Sequence, residues 1–258
     1  KYGVELNLLI GRQLNVSNFM RRLLVRRFES SMEAFNQSLD YMIQSSQHLI
    51  DWINKRNKVP VFKKGALPSV EEFYEKTDDN LQVELEEKFD KYTERGFFEI
   101  DAKFLRKDDF INDVKSDMEL LKSIRREWFG ETNKIQHDPK LESFKALLRG
   151  MEEKEPNRKI IVFTEFADTA NYLGLALKDD NLRVMKYTSA DASPKNKESI
   201  RANFDAGYKP EMQQNDYQIL VATDAISEGY NLHRAGAIFN YDIPYNPTRV
   251  IQRIGRIN

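Results

Sequence analysis

The apolar residues of this chain follow a different period in each half. Over residues 17–56 they recur every three or four positions, which predicts a long amphipathic helix with Ser17 as its N-cap. The same period over residues 108–129 predicts a second helix. No pattern typical of a strand interrupts this half, so we expect residues 1–137 to form an all-helical region.

The second half of the chain alternates short apolar runs with helical patterns. The predicted strands cover residues 160–163, 182–187, 218–222 and 237–241, and residues 160–163 form a continuous apolar run. Continuous apolar runs of this length are typical of parallel strands that are buried on both faces. The order of strands and helices therefore predicts an α/β fold over residues 138–258, with helices on both faces of a parallel sheet. Asp138 and Pro139 have the pattern of an N-cap and a first helical residue.

Composition excludes several chemistries. Cysteine is absent, which excludes disulfides, a thiolate nucleophile and a cysteine-based zinc site. The three histidines are too scattered to suggest a metal cluster, so no metal site is predicted. No run of about 18 apolar residues occurs, and no secretory signal is recognisable, so we expect a cytoplasmic protein without a membrane span.

Charge is balanced overall but unevenly distributed. The chain has 40 Lys+Arg and 41 Asp+Glu, yet the net charge is +6 over residues 1–70, −9 over residues 71–119 and +2 over the remainder. A neutral chain can still present a basic face to nucleic acid. The simpler alternative is that these charges are solvated faces of helices.

Polar residues follow each predicted strand of the second half. The pairs are Thr164-Glu165, Thr188-Ser189, Thr223-Asp224 and Tyr241-Asp242. Ligands of parallel α/β sheets bind at the loops beyond the carboxyl ends of the strands. These residues are therefore candidates for a binding site, and the alternative is that they only cap the helices that follow.

Four segments in the second half match known motifs, in order. Residues 161–166 resemble helicase motif IV, residues 189–204 resemble the family block that follows it, residues 219–232 resemble motif V, and residues 252–256 resemble the start of motif VI. Together they resemble the second RecA-like lobe of a superfamily-two helicase. Gln252 and the Glu-Gly-Tyr-Asn-Leu stretch favour the Swi/Snf class, including bacterial RNA-polymerase-associated ATPases, over DEAD-box proteins, which usually begin motif VI with histidine. Residues 24–31 also resemble that bacterial group.

The resemblance implies roles for five residues near a nucleotide. Arg256 matches the first arginine finger, and Arg253 is expected to brace the nucleotide or motif V. Gln252 is expected to face the nucleotide edge, and Asn231 matches a position that contacts the ATP ribose. Gly229 permits close backbone approach, although it is also explained as a turn glycine.

The resemblance also implies partners. Thr164, Ser189 and Thr223 match positions that hold nucleic-acid phosphates without reading sequence. The implied partners are double-stranded DNA and an N-terminal RecA-like lobe, which would bind most of the ATP and Mg²⁺. The chain has no Gly-x-x-x-x-Gly-Lys-Ser/Thr loop and no Asp-Glu motif for magnesium, and it stops at Asn258, inside motif VI. We therefore expect this chain alone to be inactive in ATP hydrolysis.

Other interpretations remain at this stage. The same motifs suit a DEAD-box-like RNA helicase lobe. The helical half, with its acidic stretch, suits a module that docks a protein such as RNA polymerase or a nuclease subunit on a non-catalytic RecA-like domain. A nucleotide-binding methyltransferase predicts a glycine-rich turn after the first strand, and residues 163–168 contain no glycine.

Overall fold

The computed structural model describes residues 20–62, 97–104, 106–180, 182–226, 230–244 and 246–256. The chain divides into two compact units. Unit 1 comprises Lys1–Phe35 together with Ile135–Asn258, and unit 2 comprises Asn36–Lys134. This division differs from the predicted boundary at residue 137, because residues 20–35 belong with the C-terminal half of the chain.

Residues 20–30 are helical, and the first complete helix, α1, spans Met32–Arg56. The long helix predicted over residues 17–56 is therefore interrupted at Ser31. The Ser31 hydroxyl accepts a hydrogen bond from Ala34 N at 3.1 Å, as an N-cap side chain does. The predicted cap at Ser17 lies outside the described residues.

Unit 2 contains most of α1, two strands and a second long helix. The strands are β1 (Lys58–Phe62) and β2 (Phe97–Asp101), which pair antiparallel, and the helix is α2 (Lys107–Phe129). Its core comprises Ile50, Ile53, Val59, Ala102, Ile111 and Met118. The two helices agree with the sequence, but the prediction of an all-helical region is corrected by the strand pair. Asn57, with φ at 53°, ends α1 in a left-handed conformation and starts β1.

Unit 1 contains a four-stranded parallel sheet. Its strands are β3 (Lys159–Phe163), β4 (Val184–Tyr187), β5 (Ile219–Ala222) and β6 (Ala235–Asn240), in the order β4-β5-β3-β6. Its helices are α3 (Pro139–Lys154), α4 (Ala167–Asp179), α5 (Pro194–Phe204) and α6 (Pro247–Ile254). The α/β fold predicted for this part of the chain is confirmed.

Side chains of β3 alternate between two cores, one on each face of the sheet. Ile160 and Val162 pack with residues of α3 and α4, whereas Ile161 and Phe163 pack with residues of α5. Because successive strand residues point to opposite faces, an apolar run without alternation requires helices on both sides. This arrangement explains the continuous run Ile160–Phe163.

The start of α3 has the cap that the sequence suggests. Asp138 Oδ1 accepts from Leu141 N at 2.9 Å, directly before Pro139. α3 continues through Gly150 to Lys154. No helix in the described ranges is long and apolar enough to cross a membrane.

Candidate nucleotide and nucleic-acid site

The residues after the strands lie together at the carboxyl edge of the sheet. Thr164 N donates to Ala222 O at 3.0 Å, and Thr223 N donates to Tyr187 O at 3.1 Å. These backbone bonds extend the strand pairing by one residue and fix where the next side chains begin. The sequence-based expectation that these loops meet at one edge agrees with this geometry.

Asp224, in the 3-10 turn directly after β5, binds two arginines of α6. Its Oδ1 accepts from Arg253 Nε at 2.7 Å, and its Oδ2 accepts from Arg249 Nη1 at 2.9 Å. Residues four apart lie on the same face of a helix, so both guanidinium groups reach the one carboxylate. Arg253 Nη1 also donates to Asn240 Oδ1 at 2.7 Å, which connects α6 to the end of β6.

Arg253 is fully buried, with 0% of its surface exposed. Its guanidinium carbon lies 5.1 Å from the centroid of the Phe163 ring. Burial of an arginine is tolerated only when most of its donors are paired, and Asp224 and Asn240 supply partners for two of its nitrogens. Among the described residues its Nη2 has no hydrogen-bond partner.

The residues after α6 connect to the segment that follows motif V. Leu232 N donates to Arg256 O at 2.9 Å, so the chain around Asn231 lies beside the end of α6. Asn231 and Gln252 are exposed, whereas Arg256 is partly buried. The Arg256 Nε is buried and has no hydrogen-bond partner among the described residues. Gly229 lies outside the described residues.

The three residues predicted to contact phosphates have different surroundings. Ser189 is exposed at the start of the 3-10 turn Ser189–Asp191. Thr223 is partly buried, and its hydroxyl accepts a long bond of 3.4 Å from Ala225 N. Thr164 is 0% exposed, and its hydroxyl donates to Asp242 Oδ2. In this arrangement the Thr164 side chain supports the edge from within and presents no hydroxyl to solvent.

The turn that carries Ser189 is held by a reciprocal cap. Asp191 Oδ2 accepts from both the backbone N–H and the hydroxyl of Thr188, at 2.8 and 2.7 Å. Burial raises the pKa of the Asp191 carboxyl, but hydrogen bonds from Thr188 and Lys186 outweigh it and leave this pKa below its usual value. The turn therefore keeps a charged carboxylate beneath Ser189.

Asp242, which follows β6, accepts hydrogen bonds from several segments of the chain. The sequence indicated only that this residue comes after a strand. Asp242 is buried and accepts from Thr164, from Glu165 N at 2.8 Å and from the Ser30 hydroxyl at 2.5 Å. The hydroxyls of Ser30 and Ser31 also each lie 2.8 Å from Thr169 Oγ1. These contacts attach residues 20–35 to the sheet.

Two ion pairs accompany this attachment. Arg26 pairs with Glu165, and Arg27 pairs with Asp168. The Arg27 guanidinium also lies 5.0 Å from the centroid of the Phe166 ring. Glu165 and Asp168 belong to the loop and first turn after β3, so the arginines of the N-terminal segment reach the strand that carries motif IV.

Lys140 binds the end of the same helical segment. Its Nζ donates to Glu29 O at 2.6 Å and Ser30 O at 2.8 Å, which are among its last carbonyls, and lies 4.1 Å from the centroid of the Tyr241 ring. Burial lowers the pKa of Lys140. The sequence signal for this attachment is the family resemblance of residues 24–31. The sequence also offers Arg21, Arg22, Arg26 and Arg27 as a candidate DNA-binding patch, and the structure pairs Arg26 and Arg27 with carboxylates of this chain.

Comparison with known proteins identifies the class of this site. Residues 139–258 match the family model of the helicase conserved C-terminal domain. This match covers a little under half of the chain. Together with the parallel sheet it shows the RecA-like fold of a helicase C-terminal domain over these residues, which are similar to a lobe of a superfamily-two helicase. Among the described residues no group of three or more His, Asp or Glu is placed to hold a metal ion.

Two curated relatives each match less than half of the chain. The chain is 34% identical over 108 residues to a protein of Bacillus subtilis named uncharacterized ATP-dependent helicase YqhH, covering 41% of this chain and 17% of that protein. It is 32% identical over 118 residues to the ATP-dependent RNA helicase RhlB of Vibrio cholerae, covering 46% and 25%. The chain thus spans a quarter or less of the length of these relatives.

One solved structure aligns over more of the chain. The Hef helicase domain of Pyrococcus furiosus covers 83% of this chain and 36% of that one, with 19% identity and a TM-score of 0.38. This similarity is too low to support an inference about function.

Proposed function

We propose that this chain supplies the C-terminal lobe of an ATP-driven motor of the Swi/Snf type that moves along double-stranded DNA. The observation that carries the proposal is the pairing of Asp224 with Arg249 and Arg253 at the carboxyl edge of the sheet. This pairing joins the segment that resembles motif V to the helix that resembles motif VI, within the region that matches the helicase model.

The arginines fit a nucleotide with Mg²⁺. Arg253 and Arg256 each carry a guanidinium nitrogen without a hydrogen-bond partner among the described residues. A guanidinium is planar and always charged, and it binds phosphate oxygens through paired hydrogen bonds. ATP supplies the phosphoanhydride bond that is cleaved, and phosphoryl transfer is accelerated mainly by positioning and charge compensation.

Each residue of the edge has a proposed part in this chemistry. Arg256 compensates charge on the transferred phosphoryl group, and Arg253 keeps α6 fixed to Asp224 so that Arg256 is positioned. Gln252 and Asn231, both exposed, contact the nucleotide. The chain has no phosphate-binding loop, so an N-terminal lobe would hold most of the ATP and Mg²⁺.

The nucleic-acid track is proposed at the loops after β4 and β5. Ser189 and Thr223 offer hydroxyls that suit contacts to phosphate oxygens. Thr164 contributes by fixing Asp242, since its side chain is buried.

RNA is the second candidate substrate. RhlB, to which the chain is 32% identical over 118 residues, is named an RNA helicase. Phosphate contacts alone do not distinguish DNA from RNA, so the choice between them requires measurement.

The test measures ATP hydrolysis by the intact parent protein without nucleic acid, with double-stranded DNA and with RNA. We expect stimulation by DNA, and a fall of about 10³-fold or more in kcat for Arg256→Ala, as for other arginine fingers. Arg149→Ala is the control. Arg149 lies on α3, where it pairs with Asp180, and residues of α3 pack on one face of the sheet. Stimulation by RNA alone would favour the second candidate, and an unchanged Arg256→Ala rate would exclude the finger role.

A further inference from the structure

Charged side chains alternate in sign across the carboxyl edge of the sheet. The series runs from Arg26 to Glu165, Arg249, Asp224 and Arg253. It begins in the N-terminal helical segment (residues 20–30) and ends at the buried arginine of α6.

Arg249 lies between two carboxylates in this series. Its Nη1 is 2.9 Å from Asp224 Oδ2 and 3.9 Å from Glu165 Oε1. Both carboxylates are largely shielded, with 20% of the Asp224 side chain and 11% of the Glu165 side chain exposed. Because shielding from water strengthens charge interactions, the two carboxylates compete for one guanidinium.

The ion pair of Arg26 determines how strongly Glu165 competes for Arg249. Arg26 pairs with Glu165 Oε2, on the other oxygen from the one that faces Arg249. While Arg26 neutralises Glu165, the attraction of Glu165 for Arg249 is weak, and Arg249 stays with Asp224. Without Arg26, Glu165 has only Arg249 as a cation within ion-pair distance among the described residues.

We propose that Arg26 is a positioning residue for α6: by neutralising Glu165 it leaves Arg249 to Asp224 and so holds the helix that carries Arg253. The importance of α6 for turnover rests on the proposed function, whereas the coupling itself is a property of the chain. The N-terminal helical segment is then part of the working edge of the lobe.

The first test is hydrogen exchange of the 258-residue chain, observed by NMR at the amides of residues 251–254 in α6. For Arg26→Gln we expect exchange to be faster by about threefold to fivefold, the upper part of the range for one partly shielded ion pair. Arg149→Gln removes an ion pair on α3 and is expected to leave α6 unchanged. Unchanged α6 exchange in Arg26→Gln would overturn the proposal.

A rescue experiment separates competition from simple loss of packing. Glu165→Gln removes the competing carboxylate, so the double variant Arg26→Gln/Glu165→Gln is expected to restore α6 exchange to within about twofold of the original rate. If Arg26 acted only by packing the helical segment onto the lobe, the double variant would exchange as fast as the single variant or faster. That result would also overturn the proposal.

The parent protein connects the coupling to turnover. We expect Arg26→Gln to lower kcat by about threefold to fivefold with little change in KM, and Glu165→Gln to restore it. A parent without any ATP hydrolysis would contradict the proposed function while the exchange rates still decide the coupling. An active parent whose kcat is insensitive to Arg26→Gln would overturn the positioning role.

Discussion

Cationic side chains bind different kinds of acceptor at the two edges of the parallel sheet, as Arg249 and Arg253 show at one edge and Arg234 shows at the other. At the carboxyl edge, Arg249 and Arg253 bind a carboxylate, Asp224. At the amino edge, Arg234 Nη1 donates to Ala202 O at 2.7 Å and to Gln214 O at 3.0 Å. These two arginines of the carboxyl edge thus pair with a carboxylate, whereas Arg234 pairs with neutral carbonyl oxygens, although Arg158, also at the amino edge, pairs with Glu155.

The amino edge attaches the loop that precedes β5. Arg183 Nη1 donates to Asn215 O, and Lys159 Nζ donates to Tyr217 O, both at 2.6 Å. Among the described residues neither Lys159, Arg183 nor Arg234 has a carboxylate within ion-pair distance. The acceptors are main-chain carbonyl oxygens, whose positions are set by the backbone. Hydrogen bonds from these cations therefore hold the loop in place.

The carboxyl edge differs because its acceptors are side chains that have alternative partners. Glu165 and Asp224 both lie near Arg249, so a small change of charge redistributes the pairs. The comparison teaches that the same residue types give a fixed attachment at one edge and an adjustable one at the other. The predictions below test this difference, from the largest expected effect to the smallest.

Substitution of Arg253 should be the most destabilising change at either edge. Arg253→Met leaves Asp224 short of a buried partner, and loss of one member of a buried ion pair costs about 3–5 kcal/mol. The measurement is hydrogen exchange of the slowest amides of β3, compared with Arg149→Met, for which we expect a change within about 0.5 kcal/mol. A loss no larger than that of Arg149→Met would break the contrast between buried and exposed pairs.

We expect the free energy of unfolding to depend on pH through Lys159, which lies at the amino edge. Burial, together with the nearby Arg234 and Arg183, lowers the pKa of Lys159 from 10.5 to about 8. Between these values the unfolded chain binds more protons than the folded one, so the free energy of unfolding rises with pH, by up to about 3 kcal/mol. Urea unfolding at pH 7.5 and 9.5 should show this rise relative to Lys159→Met, and parallel pH profiles would contradict it.

Thr164→Val tests the buried support of the carboxyl edge. Valine keeps the shape of threonine but removes the donor to Asp242, and an unsatisfied buried acceptor costs about 1–3 kcal/mol. We expect a loss near the lower end, because Ser30 and Glu165 N still donate to Asp242. Nearly neutral behaviour of Thr164→Val in urea unfolding would show that Asp242 does not need this hydroxyl.

The smallest expected effect is a difference between the two edges in how the cost of a substitution changes with salt concentration. Arg249 is half-exposed and paired with carboxylates, so Arg249→Gln is expected to cost less than about 1 kcal/mol at low salt and still less at 1 M salt. Arg234→Gln removes bonds to carbonyls, so its cost should change little with salt. Equal salt dependence of the two variants, in unfolding at 0.05 and 1 M NaCl, would remove the proposed distinction.

The sheet could be predicted from sequence because its signal is local. A run such as Ile160–Phe163 is explained by a strand that is covered on both faces. The motifs indicated the order of the strands along the chain. The strands β1 and β2 were missed because their pairing joins segments about 40 positions apart, and no local period marks it. The pattern of residues 17–56 predicted helix, and Ser31 interrupts it for a capping contact.

The candidate site was only partly predictable for the same reason. Motif matches identified Arg253 and Arg256, but spacing along the chain cannot show that Arg253 is buried against Asp224 and Asn240. Thr164 was expected at a surface, and its burial depends on Asp242, 78 positions away. The contacts of Ser30 depend on residues more than 130 positions away, which no sequence period records.

The attachment of Ser30 also constrains the order of folding. Its hydroxyl bonds with Thr169, 139 positions later, and with Asp242, 212 positions later. A chain made from its N-terminus onward therefore completes residues 20–35 long before their partners exist. Contacts of such large sequence separation close late and slow folding, so these helical residues are synthesised before their partners and are among the last to reach their final neighbours.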